Sequence, residues 1–237
     1  MIRPASLVLA GLLGFGLSWN GLLRASMPRI GLEEPAPATK AAERILERIR
    51  SIEQTVAQTC YQHRTVVDPQ RGVYFFDCSG MVTWILEQVA PQSRKYTYAP
   101  RPTARDYAEA IDRAPSRGTR GGWQRVADVT EAQAGDIFAW TRPKHFPSDD
   151  LTGHTGFILR APRRLPGLGN VYSVRIADAT SVPHQDDTRE PGGGGGYGRG
   201  TILISADEMA RPEAYGWFGA RYPALVTAPV RIGRVHR

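Results

Sequence analysis

Two cysteines, five histidines and scattered acidic residues are what this chain offers for nucleophilic or acid-base chemistry, and Cys78 has the most telling surroundings. It stands in Phe75-Phe76-Asp77-Cys78-Ser79-Gly80, just before Met81, Val82, Ile85, Leu86 and Val89. The three- and four-residue spacing of those apolar residues predicts an amphipathic helix that stops before Pro91. Asp77 or Ser79 can cap it, and Gly80 lets another backbone approach closely. A thiol in the first turn of a helix faces unpaired N–H groups and the positive end of the helix dipole, and both favour thiolate. Such a cysteine is suited to attack a carbonyl. The alternative reading of the same residue is a buried, inert core cysteine, a common fate of free thiols.

A cysteine nucleophile needs a base, and the base needs a third group to hold its tautomer. Gly153-His154-Thr155-Gly156-Phe157-Ile158-Leu159 predicts a strand that begins at a histidine, and Val171 to Asp178 predicts the next one. The Pro- and Gly-rich stretch 161–170 predicts a hairpin between them. Centred on Leu165 or Pro166, the hairpin puts His154 opposite Asp178, at about 5 Å between Cβ atoms. A one-residue bulge would instead turn Asp178 to the other face. His184 is the runner-up for the third position. Its neighbours Asp186 and Asp187 could be read as metal ligands, but no second histidine lies at ligand spacing, so no metal and no other cofactor is expected. His145 reads as loop surface, and His63 and His236 carry no pattern.

The elements that must position these groups follow from periodicity. Ile45, Leu46, Ile49, Ile52 and Val56 mark one face of a helix over 39–59, with Glu43, Arg44, Glu47, Arg48 and Arg50 on a solvated face. A second helix is expected over 103–113, with Tyr107 and Ile111 inward. Strands are expected at 136–141, 154–160, 171–178 and 201–205, with a last one near 225–232. Helices first and strands second predict an α+β fold, an antiparallel sheet covered by helices. Trp123, Trp140 and Trp217 read as core or cleft walls.

As an ordered set, the leading helix, Asp77-Cys78-Ser79-Gly80, Gly135-Asp136-Ile137-Phe138, Gly153-His154 and a polar third residue resemble the NlpC-type family of papain-like cell-wall cysteine peptidases, over residues 41–222. The resemblance implies a papain-like fold with the nucleophile at a helix N-terminus. It implies Cys78 as nucleophile, His154 as base, and Asp178 where the family places a His, Asn, Gln or another polar group. Asp77 and Ser79 would hold the free amine of a short peptide stem, and the Cys78 N–H would donate to the oxyanion. The substrate implied is a peptidoglycan stem peptide, cut at the γ-D-glutamyl to diamino acid bond. The family's Pro-Tyr and Gly-Gly pairs before the cysteine are replaced here by Cys60-Tyr61-Gln62-His63 and Arg71-Gly72-Val73-Tyr74, which leaves Tyr61 as candidate for the substrate-facing tyrosine. The segment 178–200, with glycine at every position from Gly192 to Gly196, is longer than a minimal member needs and is expected to form a lid or cleft wall.

Composition bounds the rest. At 237 residues with 41% hydrophobic, the chain can fill one core and carry an N-terminal extension. Its net charge of +7 is spread over scattered arginines without a helix-turn-helix, zinc-finger or aromatic RNA-binding motif, so nucleic acid is not expected as a partner. Anionic wall polymer or lipid headgroups suit that charge equally well. Met1-Ile2-Arg3, an apolar stretch from Pro4 to Leu23 and Arg24 read as a signal peptide or membrane anchor over 1–26, followed by a linker over 27–40 and the hydrolase domain over 41–237. An exported, periplasmic or envelope protein is expected. In that compartment Cys60 and Cys78 could oxidise to a bridge that silences the nucleophile; a free Cys78 is expected, with Cys60 packed at the end of the first helix. Two other functions remain open: a catalytically idle module binding wall peptide or a partner protein, and a thiol-dependent acyltransferase or amidase with a non-wall substrate.

Overall fold

Thr39 opens the first helix: its hydroxyl accepts the Ala42 N–H at 3.0 Å, and α1 (Lys40–Thr55) buries Ile45, Ile49 and Ile52 along one stripe. The computed structural model describes residues 36–143, 153–184, 186–190, 192–217 and 225–236. The helix ends at Thr55, short of the expected Thr59, because the chain turns there into a small sheet of β1 (Gln58–Cys60), β2 (Val66–Asp68) and β3 (Val73–Phe75), with β3 in the middle. Strands of three residues show too little alternation to be read from sequence. They set Cys60 level with Phe75, and the Phe76 N–H donates to the Cys60 carbonyl at 3.2 Å. Tyr61 and His63 therefore run beside Phe76-Asp77-Cys78. Cys60 sits in a strand, not at the end of α1.

Asp77 caps α2 (Cys78–Val89), accepting the Gly80 N–H at 2.6 Å, and Met81, Val82, Ile85 and Leu86 are fully buried. A short α3 (Pro91–Lys95) follows. α4 (Ala104–Arg113) is closed by a reciprocal Thr103–Asp106 capping box, at the expected place. The chain then turns to strands: β4 (Trp123–Val126), β5 (Ile137–Thr141), β6 (Gly153–Ile158), β7 (Arg163–Arg164), β8 (Val171–Thr180), β9 (Gly196–Ala206), β10 (Pro212–Gly216), β11 (Leu225–Thr227) and β12 (Arg231–Val235). They form an antiparallel sheet in the order β11-β10-β9-β8-β6-β5-β12-β4, with the small β7 pairing on β8. The molecule is α+β, as expected. The single strand expected near 225–232 is two strands.

Alternation divides the sheet's side chains between two cores. Ile137, Ala139, Phe157 and Ala177 pack with the helices. Phe138, Trp140, Ile158, Val174 and Ile176 face the other way, where the twisted sheet curls on itself. The curl brings Tyr215 of β10 onto Trp140 of β5, ring centroids 4.1 Å apart, although β9, β8 and β6 separate the two strands. Among the described residues no helix is long and apolar enough to cross a membrane. The segment 1–26, expected to be a signal or anchor, and most of the expected linker lie outside the described residues.

The Gly135-Asp136 pair has a structural explanation. Gly135 adopts a positive φ, and a Cβ there would meet Ala42 of α1 at 2.6 Å. Asp136 is fully buried and takes a two-pronged bond from Arg234, 2.9 Å to Oδ1 and 2.8 Å to Oδ2. Arg234→Met is expected to lower the unfolding free energy by about 3 kcal/mol, because it strands a buried carboxylate. Guanidinium denaturation would show the loss, and adding Asp136→Asn should recover part of it.

Candidate active site

β6 and β8 pair with Phe157 opposite Ala177, so the expected register is displaced by two residues. Gly156 rather than His154 stands across from Asp178: a Cβ on Gly156 would come within 2.9 Å of the Asp178 Cβ. A shift of two keeps every side chain on its face, whereas a shift of one would not. His154 consequently reaches Asp178 on the diagonal, with Nε2 2.6 Å from Oδ2.

Asp178 is fully buried and holds more than one partner. The same Oδ2 accepts from His184 Nε2 at 2.6 Å, while Arg189 Nη2 bonds Oδ1 and, at 2.7 Å, the Asp178 carbonyl. Asp178 and His184, weighed as alternatives for one position, occupy successive positions in one network. The His184 ring is buried against Trp217, centroids 3.9 Å apart, and the His184 backbone N–H bonds Asp187, which in turn bonds Arg189. Arg189 escaped the sequence reading, since nothing in its spacing marks it. His154, Asp178 and His184 place three ligand-type atoms within 4.8 Å of one another. A cation could enter there only by replacing both N–H···O bonds.

With His154 Nε2 given to Asp178, Nδ1 is the ring nitrogen left over, and Cys78 is a near enough neighbour to help raise the titration of the ring. Cys78 is the first residue of α2 and is buried. Tyr61 is a neighbour of Cys78 as well, and its phenol feels the sulfur's charge. Both cysteines are free; Cys60 Sγ faces carbonyls at Tyr61 (3.7 Å) and at Gly194 (4.0 Å) in the Gly-rich segment. Asp77 and Ser79 are placed beside Cys78 but are already engaged. Asp77 Oδ1 accepts from Ser79 Oγ at 3.0 Å as well as from the Gly80 N–H, and Oδ2 faces His63 Nδ1 at 3.1 Å and Arg101 at 3.7 Å.

The electrostatics favour a charged imidazole at His154. Burial opposes charge on His154, but its bonds to Asp178 and Cys78 and their charges outweigh that, and the imidazole titrates above its ordinary value. Burial would raise Asp178, yet the His184 and Arg189 charges and the His154 bond hold it well below the usual carboxylate range. Burial, followed by the charges at Cys78 and Asp77, pushes the Tyr61 phenol up, so that it stays a donor.

No protein-family model, curated protein or solved structure matches this chain. Its chemistry therefore rests on these distances and on the surrounding walls. A cleft of about 160 Å³ opens beside His154, walled by Tyr61, Trp140, Thr180, Val182, Tyr215 and Trp217 among others. The glycines of the 178–200 segment border a different hollow, with Glu53, Thr59, Arg189 and Tyr197, while Thr180, Ser181 and Val182 of the same segment wall this cleft, as expected.

Proposed function

We propose that this protein is a papain-like cysteine hydrolase acting on amide bonds through Cys78, His154 and Asp178. The observation that carries the reading is His154, gripped at Nε2 by a buried, ionised Asp178 and neighboured by a thiol at a helix N-terminus. Cys78 Sγ attacks the carbonyl carbon and a C–S bond forms. The thiol proton passes through His154 to the amine nitrogen, and the C–N bond breaks. Water then attacks the thioester, releasing the acid and restoring the thiol. The Cys78 N–H and the Tyr61 hydroxyl are the donors this reading assigns to the developing oxyanion. An idle module would be favoured by a Cys60–Cys78 bridge or by an Asp178 turned away from His154, and the geometry has neither.

By resemblance the substrate is a peptidoglycan stem peptide, met in the envelope by an exported or membrane-anchored chain. The test is to incubate the full chain with purified muropeptides, quench with acid within milliseconds to seconds, and weigh the peptide that contains Cys78. A mass increase equal to the acyl fragment, with a new free amine in the products, is the expected result. Muropeptides left intact beside an unmodified Cys78 would sink the wall-peptide substrate.

The raised His154 value also gives a pH expectation. Turnover needs the imidazolium as proton donor, so kcat/KM should persist on the alkaline side to a pH above about 6.5, the unperturbed histidine value. In Asp178→Asn the imidazolium loses its counter-charge, and the alkaline limb should move to lower pH. An unmoved limb would separate Asp178 from the chemistry.

A further inference from the structure

We infer that the cleft beside His154 is a subsite for a large apolar side chain, aromatic or branched aliphatic, on the leaving-amine half of the substrate. The inference rests on the hydrolase reading of Cys78 and His154 but not on the wall-peptide substrate.

Position assigns the half. His154 forms part of the cleft wall and Cys78 does not. The group that protonates the leaving nitrogen must touch that nitrogen, so what lies beyond the nitrogen extends along the wall that His154 belongs to. Chemistry assigns the class. Trp140, Val182, Tyr215, Trp217 and Val226 line most of the space, with the cationic Arg142 among the others, and no carboxylate is among the described lining residues. The walls are braced by one another: Trp140 stacks on Tyr215 at 4.1 Å, and the Trp217 ring stands perpendicular to Trp140 at 6.5 Å and edge-on to His154 at 4.9 Å. A preformed apolar cleft of this kind rewards burial of apolar area and returns little for a hydrated ammonium. A diamino acid, the leaving half implied by the resemblance, carries its extra charge into the wrong environment. The other end of the site supports the same division. Asp77 and Ser79 already bond each other, with His63 and Arg101 over the carboxylate, so ion pairing with a substrate amine there would have to displace both side chains.

The experiment is a tryptophan-fluorescence titration of the full-length Cys78→Ala chain with phenylalaninamide, leucinamide, glycinamide and lysinamide, which imitate the released amine. Phenylalaninamide and leucinamide should bind at least about tenfold tighter than glycinamide and lysinamide, and Val226→Glu should erase the difference. Equal affinities, lysinamide as the tightest ligand, or an unchanged ranking in folded Val226→Glu would overturn the inference. If that variant does not fold, the ranking on the parent chain still decides. Digestion of a mixed peptide library by the native chain separates the two readings. Cys78-dependent cleavage with no apolar enrichment after the cut overturns the subsite and leaves the hydrolase. An apolar binding ranking without any Cys78-dependent cleavage, of peptides or muropeptides, upholds the cleft's ligand class and overturns the hydrolase.

Discussion

Cys78→Ala and His154→Ala are each expected to abolish amide turnover, a fall of about 10⁶-fold, and the double variant should be no worse than either. The reason is that thiol and imidazole act as one device. Without the sulfur no thioester forms, and without the ring neither is the thiol proton removed nor the leaving amine protonated. Cys78→Ser should be nearly as poor, because the pair is matched to a thiol that ionises far more readily than a hydroxyl. Neither single change should unfold the protein: Cys78→Ala deletes one sulfur from the first turn of α2, whose cap is made by Asp77 rather than by Cys78. Initial rates beside melting curves are the measurement. A single variant that keeps a hundredth of the rate, or losses that multiply in the double variant, would break the proposed mechanism.

The second large effect concerns Arg189. Its side chain is buried and spends its donors on Asp178, on Asp187 and on the Gly196 carbonyl at 2.8 Å. Arg189→Met should cost about 3–5 kcal/mol, because it leaves a buried carboxylate without its permanent counter-charge. The pH dependence has a definite sign. Asp178 is held below its unfolded value, so its stabilisation is complete above about pH 3.9 and is lost as pH falls through the lowered folded value. The variant should therefore be weaker at neutral pH, and its stability should fall less steeply into acid. Activity should fall too, since an Asp178 drawn toward its neutral form no longer supports the His154 imidazolium. Urea denaturation at pH 7 and pH 3 would show both slopes. An Arg189→Met protein as stable as the parent at pH 7 would mean that the two imidazoles alone satisfy Asp178.

The parts of the site that could be read in advance are those encoded by near neighbours. Asp77 as cap, Cys78 at the first helical position, and the stripe Met81, Val82, Ile85 and Leu86 are all local consequences of spacing. His154 and Asp178 were legible as partners because β6 and β8 are strongly patterned, and the two-residue displacement did no harm because the side-chain period is two. Tyr61 was harder, since β1 has three residues and its pairing with β3, not its own pattern, carries Tyr61 into the neighbourhood of Cys78. His184 and Arg189 were misjudged or missed because they lie in a segment without periodicity. Their burial comes from folding back over β8 and β9, which no spacing announces.

The amino-acid order alone therefore determined the α+β class, the capped helix that presents Cys78, and the strands that carry His154 and Asp178. Those features depend on helix caps and on 3.6- and 2-residue periods, which act over a few residues. Only the tertiary structure decided that Asp178 bonds two imidazoles and a guanidinium at once, that Cys60 stays apart as a free thiol, and that Trp140 meets Tyr215 in a cleft wall. Those outcomes depend on register between distant strands and on the curl of the whole sheet, which are settled by packing summed over both cores rather than by any one stretch of chain.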